Sequence, residues 1–145
     1  MNLVLGSFIL IILMLGQPFN RQDANVFAEK MSAYYEISTV VEMHYFDNEW
    51  WGATVYQNGC TSRVYLSDQF EGELGKDALW KGVLAHEWAH VLQGKNCVNN
   101  EINADKIAMQ KMWEAREIAA WLRYSIFLQE VRGWSIEQIY ATRKP

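Results

Sequence analysis

Apolar positions along this chain change their period several times, and each period predicts a different element. Over residues 22–37 they return at roughly helical spacing (Val26, Phe27, Met31, Tyr34, Tyr35), with Asp23 placed to start a helix. The period then falls to two. Residues 39–46 are β-branched and aromatic, and residues 51–57 and 63–67 read as shorter strands, Val64 and Leu66 alternating with Arg63 and Tyr65. Turn signals separate the strands at Asp47-Asn48 and Asn58-Gly59. Three consecutive strands joined in this way predict a small antiparallel meander.

From residue 77 the helical period returns. Leu79, Val83, His86 and His90 form one stripe of a helix over 77–93, flanked by Trp80, Leu84, Glu87 and Val91. Gly94 is placed to end this helix and Asn99 to cap the next. That helix, over 100–117, carries Ile102, Ala104, Ile107, Ala108, Met112 and Ala115. A third, over 118–132, carries Trp121, Leu122, Ile126, Phe127 and Val131; Gly133 breaks it, and Ser135 can cap a last short helix through Tyr140. The predicted class is α+β: a small antiparallel three-stranded sheet packed on helices, with further helices at the C-terminus.

Composition narrows this picture at three points. With 145 residues, half of them apolar, residues 18–145 have the length of one domain with a modest core. A net charge of −4 without any Lys/Arg cluster argues against a nucleic-acid partner. Residues 3–15 are nearly all apolar, a length that suits the hydrophobic region of a signal peptide and falls short of the roughly 20 residues of a spanning helix. Residues 1–17 are accordingly expected to be a signal peptide or a membrane anchor. The expected location is extracytoplasmic, secreted or membrane-anchored, with membrane association through residues 3–15. In such a compartment Cys60 and Cys97 are expected to pair, with unpaired buried thiols as the alternative.

The candidate chemistry lies at His86-Glu87-Trp88-Ala89-His90. Residues four apart on a helix share a face, so the two imidazoles can aim at one point, as a tetrahedral Zn²⁺ requires of its first two ligands. Glu87 is turned about 100° away, beside the ion, where it can take a proton from the water that the metal activates. Three protein ligands are the usual number in a catalytic site, and Glu101 is placed to be the third. The short link after Gln93 makes the two helices antiparallel neighbours. At about 1.5 Å rise per residue, Glu101 then stands level with His90 and Asp105 level with His86. Glu101 can complete the metal site, and Asp105 can accept the outer ring N–H of His86 and fix its tautomer.

These residues resemble the gluzincins, the thermolysin-like class of zinc metallopeptidases, in which His-Glu-x-x-His is completed by a downstream Glu in an E-x-x-x-D setting. The segment Asn100-Glu101-Ile102-Asn103-Ala104-Asp105 has that form, and its E-x-x-A-D variant is similar to exported neutral zinc metallopeptidases. The resemblance covers about residues 84–108. It implies a minimal zincin-like domain, a Zn²⁺ cofactor on His86, His90 and Glu101, Glu87 as general base and acid, and a peptide or protein substrate. It also implies that the strand over 63–67 runs along the cleft and pairs with extended substrate. Only ten residues separate His90 from Glu101, fewer than in the larger members. The family's downstream Tyr or His that stabilises the oxyanion is not assigned: His44, Tyr65, Tyr124 and Tyr140 are the candidates. The alternative is a non-catalytic, zinc-stabilised binding or regulatory domain on the same frame.

Overall fold

The computed structural model describes residues 16–37, 42–47, 50–56, 62–94 and 99–144. The apolar run over 3–15 and the Cys60–Cys97 pair lie outside them. Helix α1 (Arg21–Tyr34) starts at Asn20, whose side chain accepts from the Asp23 backbone N–H at 2.7 Å, one turn before the predicted start. It buries Ala24, Phe27, Ala28 and Met31, and Tyr35 follows on the same face. Val26 and Tyr34 are exposed, because the true stripe is set by the small alanines at i, i+3, i+4 spacing.

Three strands follow: β1 (Glu42–Phe46), β2 (Gly52–Tyr56) and β3 (Ser62–Ser67). Their order is β1-β3-β2. β2 and β3 pair antiparallel as predicted, but β1 pairs with β3 parallel, so the sheet is mixed and not an antiparallel meander. β3 takes the centre, with a neighbour on either edge, and its Val64 and Leu66 are both fully buried. Alternation fixes which face of a strand is buried and leaves its neighbour open.

Two 3₁₀ turns (Asp68–Glu71 and Glu73–Gly75) lead from β3 to α2 (Leu79–Gly94). Asp77 caps α2 by accepting from the Leu79 N–H at 2.8 Å. Every residue of α2 except Lys81 and Leu92 is buried, the mark of a helix covered on all sides. From α1, the Tyr35 hydroxyl donates to the Ala85 carbonyl at 2.8 Å, and the Trp88 indole donates back to Ser32 at 2.9 Å. Helix α3 (Glu101–Glu114) is capped by Asn100, one residue later than predicted, and presents Ala104 and Ala108, both fully buried, to the core. Helices α4 (Ile118–Arg132) and α5 (Ile136–Ala141) close the fold, α4 ending on Gly133 at φ 69°.

The expected membrane-anchored location is corrected by this architecture. Among the described residues no helix is long and apolar enough to cross a membrane. The most apolar of them, α2, has 16 residues, about 24 Å against the roughly 30 Å of a bilayer core, and it carries His86, Glu87 and His90.

Candidate active site

The metal-ligand candidates converge. His86 and His90 project from successive turns of α2, and Glu101 projects from the first turn of α3. His86 Nε2 and His90 Nε2 stand 3.0 Å apart, and each lies 3.0 Å from a Glu101 carboxylate oxygen. One ligand atom from each of the three falls within 4.8 Å of the others, forming a cluster that can chelate a metal ion.

The outer ring nitrogens decide what this cluster wants. His86 Nδ1 lies 2.7 Å from Asp105 Oδ1, and a buried carboxylate can only accept, so His86 donates there. Gln93 performs the same service for His90. Its amide nitrogen donates to the Asn100 carbonyl at 2.9 Å and to Asn103 Oδ1 at 3.0 Å, which turns its oxygen towards His90 Nδ1 at 2.8 Å. Both imidazoles therefore carry their proton on Nδ1 when neutral, and both Nε2 lone pairs face a carboxylate. Three acceptors with no donor among them call for a cation, and two imidazoles with one carboxylate suit a transition metal. Without a metal, a proton takes that place: burial opposes charge on His86, but Asp105 and Glu101 outweigh it and push its pKa up to about 9. The hydrogen bond from His86 holds the Glu101 carboxyl down at about 2.

The predicted levels are observed. Glu101 meets His90 and also reaches His86, while Asp105 sits behind His86 and is fully buried. Tyr124 on α4 donates its hydroxyl to the same Asp105 oxygen at 2.8 Å, and Arg132 Nε stands 3.2 Å from the other. Burial and the neighbouring Asp105 carboxylate raise the Tyr124 pKa well above its ordinary value, so it stays a donor. Glu87 is buried beside the cluster. Its pKa is raised by burial, against the opposing pull of His86 and of a hydrogen bond from Thr54.

The cluster opens into a cavity of about 530 Å³. It is lined by Trp50, Trp51 and the start of β2 and by Phe127, Val131 and Arg132 of α4, with the Trp51 and Phe127 rings in contact at 5.4 Å between centroids. The implied place of residues 63–67 along the cleft is thus taken by β2. β3 is the central strand, with both edges paired, whereas β2 is an edge strand among the described residues. Of the four oxyanion candidates only Tyr124 lines the cavity, and its hydroxyl is committed to Asp105. His44 stacks on Tyr65 in the sheet, ring centroids 5.2 Å apart, and Tyr140 is exposed on α5.

Sequence reasoning missed Gln93, Thr54 and the role of Tyr124. Gln93 was within reach of it: a polar residue one turn after His90, on a helix otherwise apolar there, needs a buried partner. Thr54 and Tyr124 gave no local signal. No protein-family model, curated protein or solved structure matches the chain.

Proposed function

We propose that this chain is a zinc-dependent peptidase, from the premise that His86-Glu87-Trp88-Ala89-His90 with Glu101 matches a minimal gluzincin architecture. Residues 18–145 would form its single zincin-like domain. The observation that carries the reading is the convergence of the His86 and His90 Nε2 atoms and the Glu101 carboxylate on the lining of one cavity, with the buried Glu87 carboxylate beside them. That donor set suits Zn²⁺, with His86, His90 and Glu101 as its ligands and Asp105 holding the His86 ring. When bound, Zn²⁺ supplies Lewis acidity, lowering the pKa of a water towards about 7 and polarising a carbonyl.

The chain's own residues supply the rest. Glu87 accepts the proton of the attacking water and returns it to the departing amine, a role helped by the raised proton affinity that burial gives it. Tyr124 and Asp105 keep the His86 ring fixed throughout, and Gln93 does so for His90. The outer edge of β2 offers backbone donors and acceptors to an extended peptide, and the aromatic walls offer it apolar contact.

The test is metal analysis joined to a peptide-library assay on wild type and Glu87→Gln. The expected result is one zinc per chain in both, with hydrolysis reduced by about 10²–10⁴-fold in the variant. Turnover unaltered in Glu87→Gln would overturn the mechanism. Zinc binding without hydrolysis by wild type would leave a non-catalytic, zinc-stabilised domain.

A further inference from the structure

We infer that strand β2 holds Glu87 in its working orientation, with Thr54 and Gly52 as positioning residues; the inference rests on the reading of Glu87 as proton acceptor. Gly52 and Thr54 are two apart and so share one face of the strand. They pair with Leu66 and Val64, whose fully buried side chains identify that face as the one turned to the core.

The Thr54 hydroxyl lies 2.6 Å from Glu87 Oε2 and 3.0 Å from the Glu87 carbonyl oxygen. It has one proton to give. The shorter contact has the length of a hydroxyl-to-carboxylate bond, the stronger kind, so the proton goes to the carboxylate. Gly52 acts on the other oxygen. A Cβ at this position would lie 2.9 Å from Glu87 Oε1, and 3.0 Å from both Glu87 Cγ and Val83 Cγ1. Gly52 is not among the positive-φ glycines, so the position uses its missing side chain and not its backbone freedom. One residue of β2 therefore grips Oε2, and the other keeps the space beside Oε1 clear.

This arrangement answers a mechanical need. A glutamate side chain turns about three bonds, and a proton acceptor works only within hydrogen-bond reach of the proton it takes. With Oε2 tied to the sheet, Oε1 is the oxygen left to accept. The contact spans thirty-three positions of the chain and joins the sheet to the helix at the one side chain whose aim matters most.

Three variants of the zinc-loaded protein test the clamp. Thr54→Val keeps the branched shape and removes the hydroxyl, and Thr54→Ser restores the hydroxyl alone. Gly52→Ala presses hardest on Glu87 Oε1, the end of a flexible side chain, so the carboxylate is the group expected to be pushed aside. Thr54→Val and Gly52→Ala are expected to lower kcat by roughly 10–100-fold, the cost of misplacing a catalytic group by about 1 Å, with KM within about twofold and zinc content unchanged. Thr54→Ser should recover wild-type kcat to within about threefold.

Crystal structures of the zinc-loaded Thr54→Val and Gly52→Ala proteins give a readout independent of turnover: the Glu87 carboxylate should leave its wild-type position in both. Wild-type kcat in Thr54→Val, or a carboxylate unmoved in its crystal structure, would overturn the clamp. A loss of kcat that serine fails to rescue would do the same. Absence of hydrolysis by wild type would overturn the peptidase reading and not the clamp, which the crystal structures then decide alone.

Discussion

Replacing Asp105 by Asn measures how much of the proposed metal site is built behind its candidate ligands. Asp105 is fully buried, and a single oxygen accepts from both His86 Nδ1 at 2.7 Å and the Tyr124 hydroxyl at 2.8 Å. Arg132 Nε stands 3.2 Å from the other oxygen. Asparagine fills the same space and can keep its one carbonyl oxygen on His86 and Tyr124. It then turns an NH₂ group towards Arg132 and removes the negative charge that makes the His86 ring a better donor of its Nε2 lone pair.

Losing such a partner weakens metal binding by about 10–100-fold, which is about 1.4–2.8 kcal/mol. A ion that binds only the folded chain stabilises it by RT ln(1 + [L]/Kd), so the same amount is lost from the stability that zinc confers. For a chain of this length about 1 kcal/mol moves Tm by roughly 2–4 °C, and the gap in Tm between zinc-loaded and metal-free protein should narrow by roughly 3–11 °C. Calorimetry at one buffered free zinc concentration, above both dissociation constants, reads that gap, and chelator competition reads Kd directly. An unchanged gap with Kd within twofold of wild type would refute the claim that the buried carboxylate tunes His86.

Two further outcomes follow from the packing around α2. Gly82→Ala should destabilise the fold by up to about 2 kcal/mol, because overpacking costs about 1–3 kcal/mol and helix propensity returns about 1. The added Cβ would lie 2.5 Å from Tyr124 Cδ2 and 2.7 Å from Tyr124 Cβ and Cγ. A urea midpoint equal to or above wild type would show that α4 yields freely there. Glu117→Gln should cost about 1–3 kcal/mol, since the carboxylate accepts from Lys30 at 2.7 Å and Lys81 at 3.2 Å. Burial alone would raise the Glu117 pKa, but the two lysines outweigh it and hold it below the ordinary 4.5. Its folded pKa is therefore the lower one, so its contribution is present above pH 4.5 and fades as pH falls through the folded value. The stability difference between wild type and Glu117→Gln should shrink on acidification below 4.5, and a difference that grows there would contradict the assignment.

The parts of this protein legible in its sequence are those set by short range. His86, Glu87 and His90 share one helix, and Glu101 and Asp105 begin the next, so helical rise alone fixes which residue stands level with which. The structure keeps those levels. Element ends were harder, because they depend on single side chains: Asn100 and not Asn99 caps α3, and a positive φ at Arg116 ends it before residue 117. The stripe of α1 was obscured by its own composition. Ala24 and Ala28 are buried and carry little hydrophobic signal, whereas the exposed Val26 and Tyr34 carry more.

The order of the sheet is different in kind, and the cleft follows from it. Each strand shows its buried face through alternation, but nothing in alternation says which strand lies between the other two. In sequence, β3 is the last strand before α2 and so the natural one to run beside it. In the fold β3 occupies the centre and has no free edge, so an extended peptide has no backbone groups of β3 to pair with. Among the described residues β2 has such an edge, and it lines the cavity and brings Gly52 and Thr54 onto Glu87. In the proposed function, the strand that would bind substrate and the strand that would aim Glu87 as proton acceptor are therefore the same one. A shift of β2 on binding an extended peptide would be transmitted directly to the Glu87 carboxylate through the Thr54 hydroxyl.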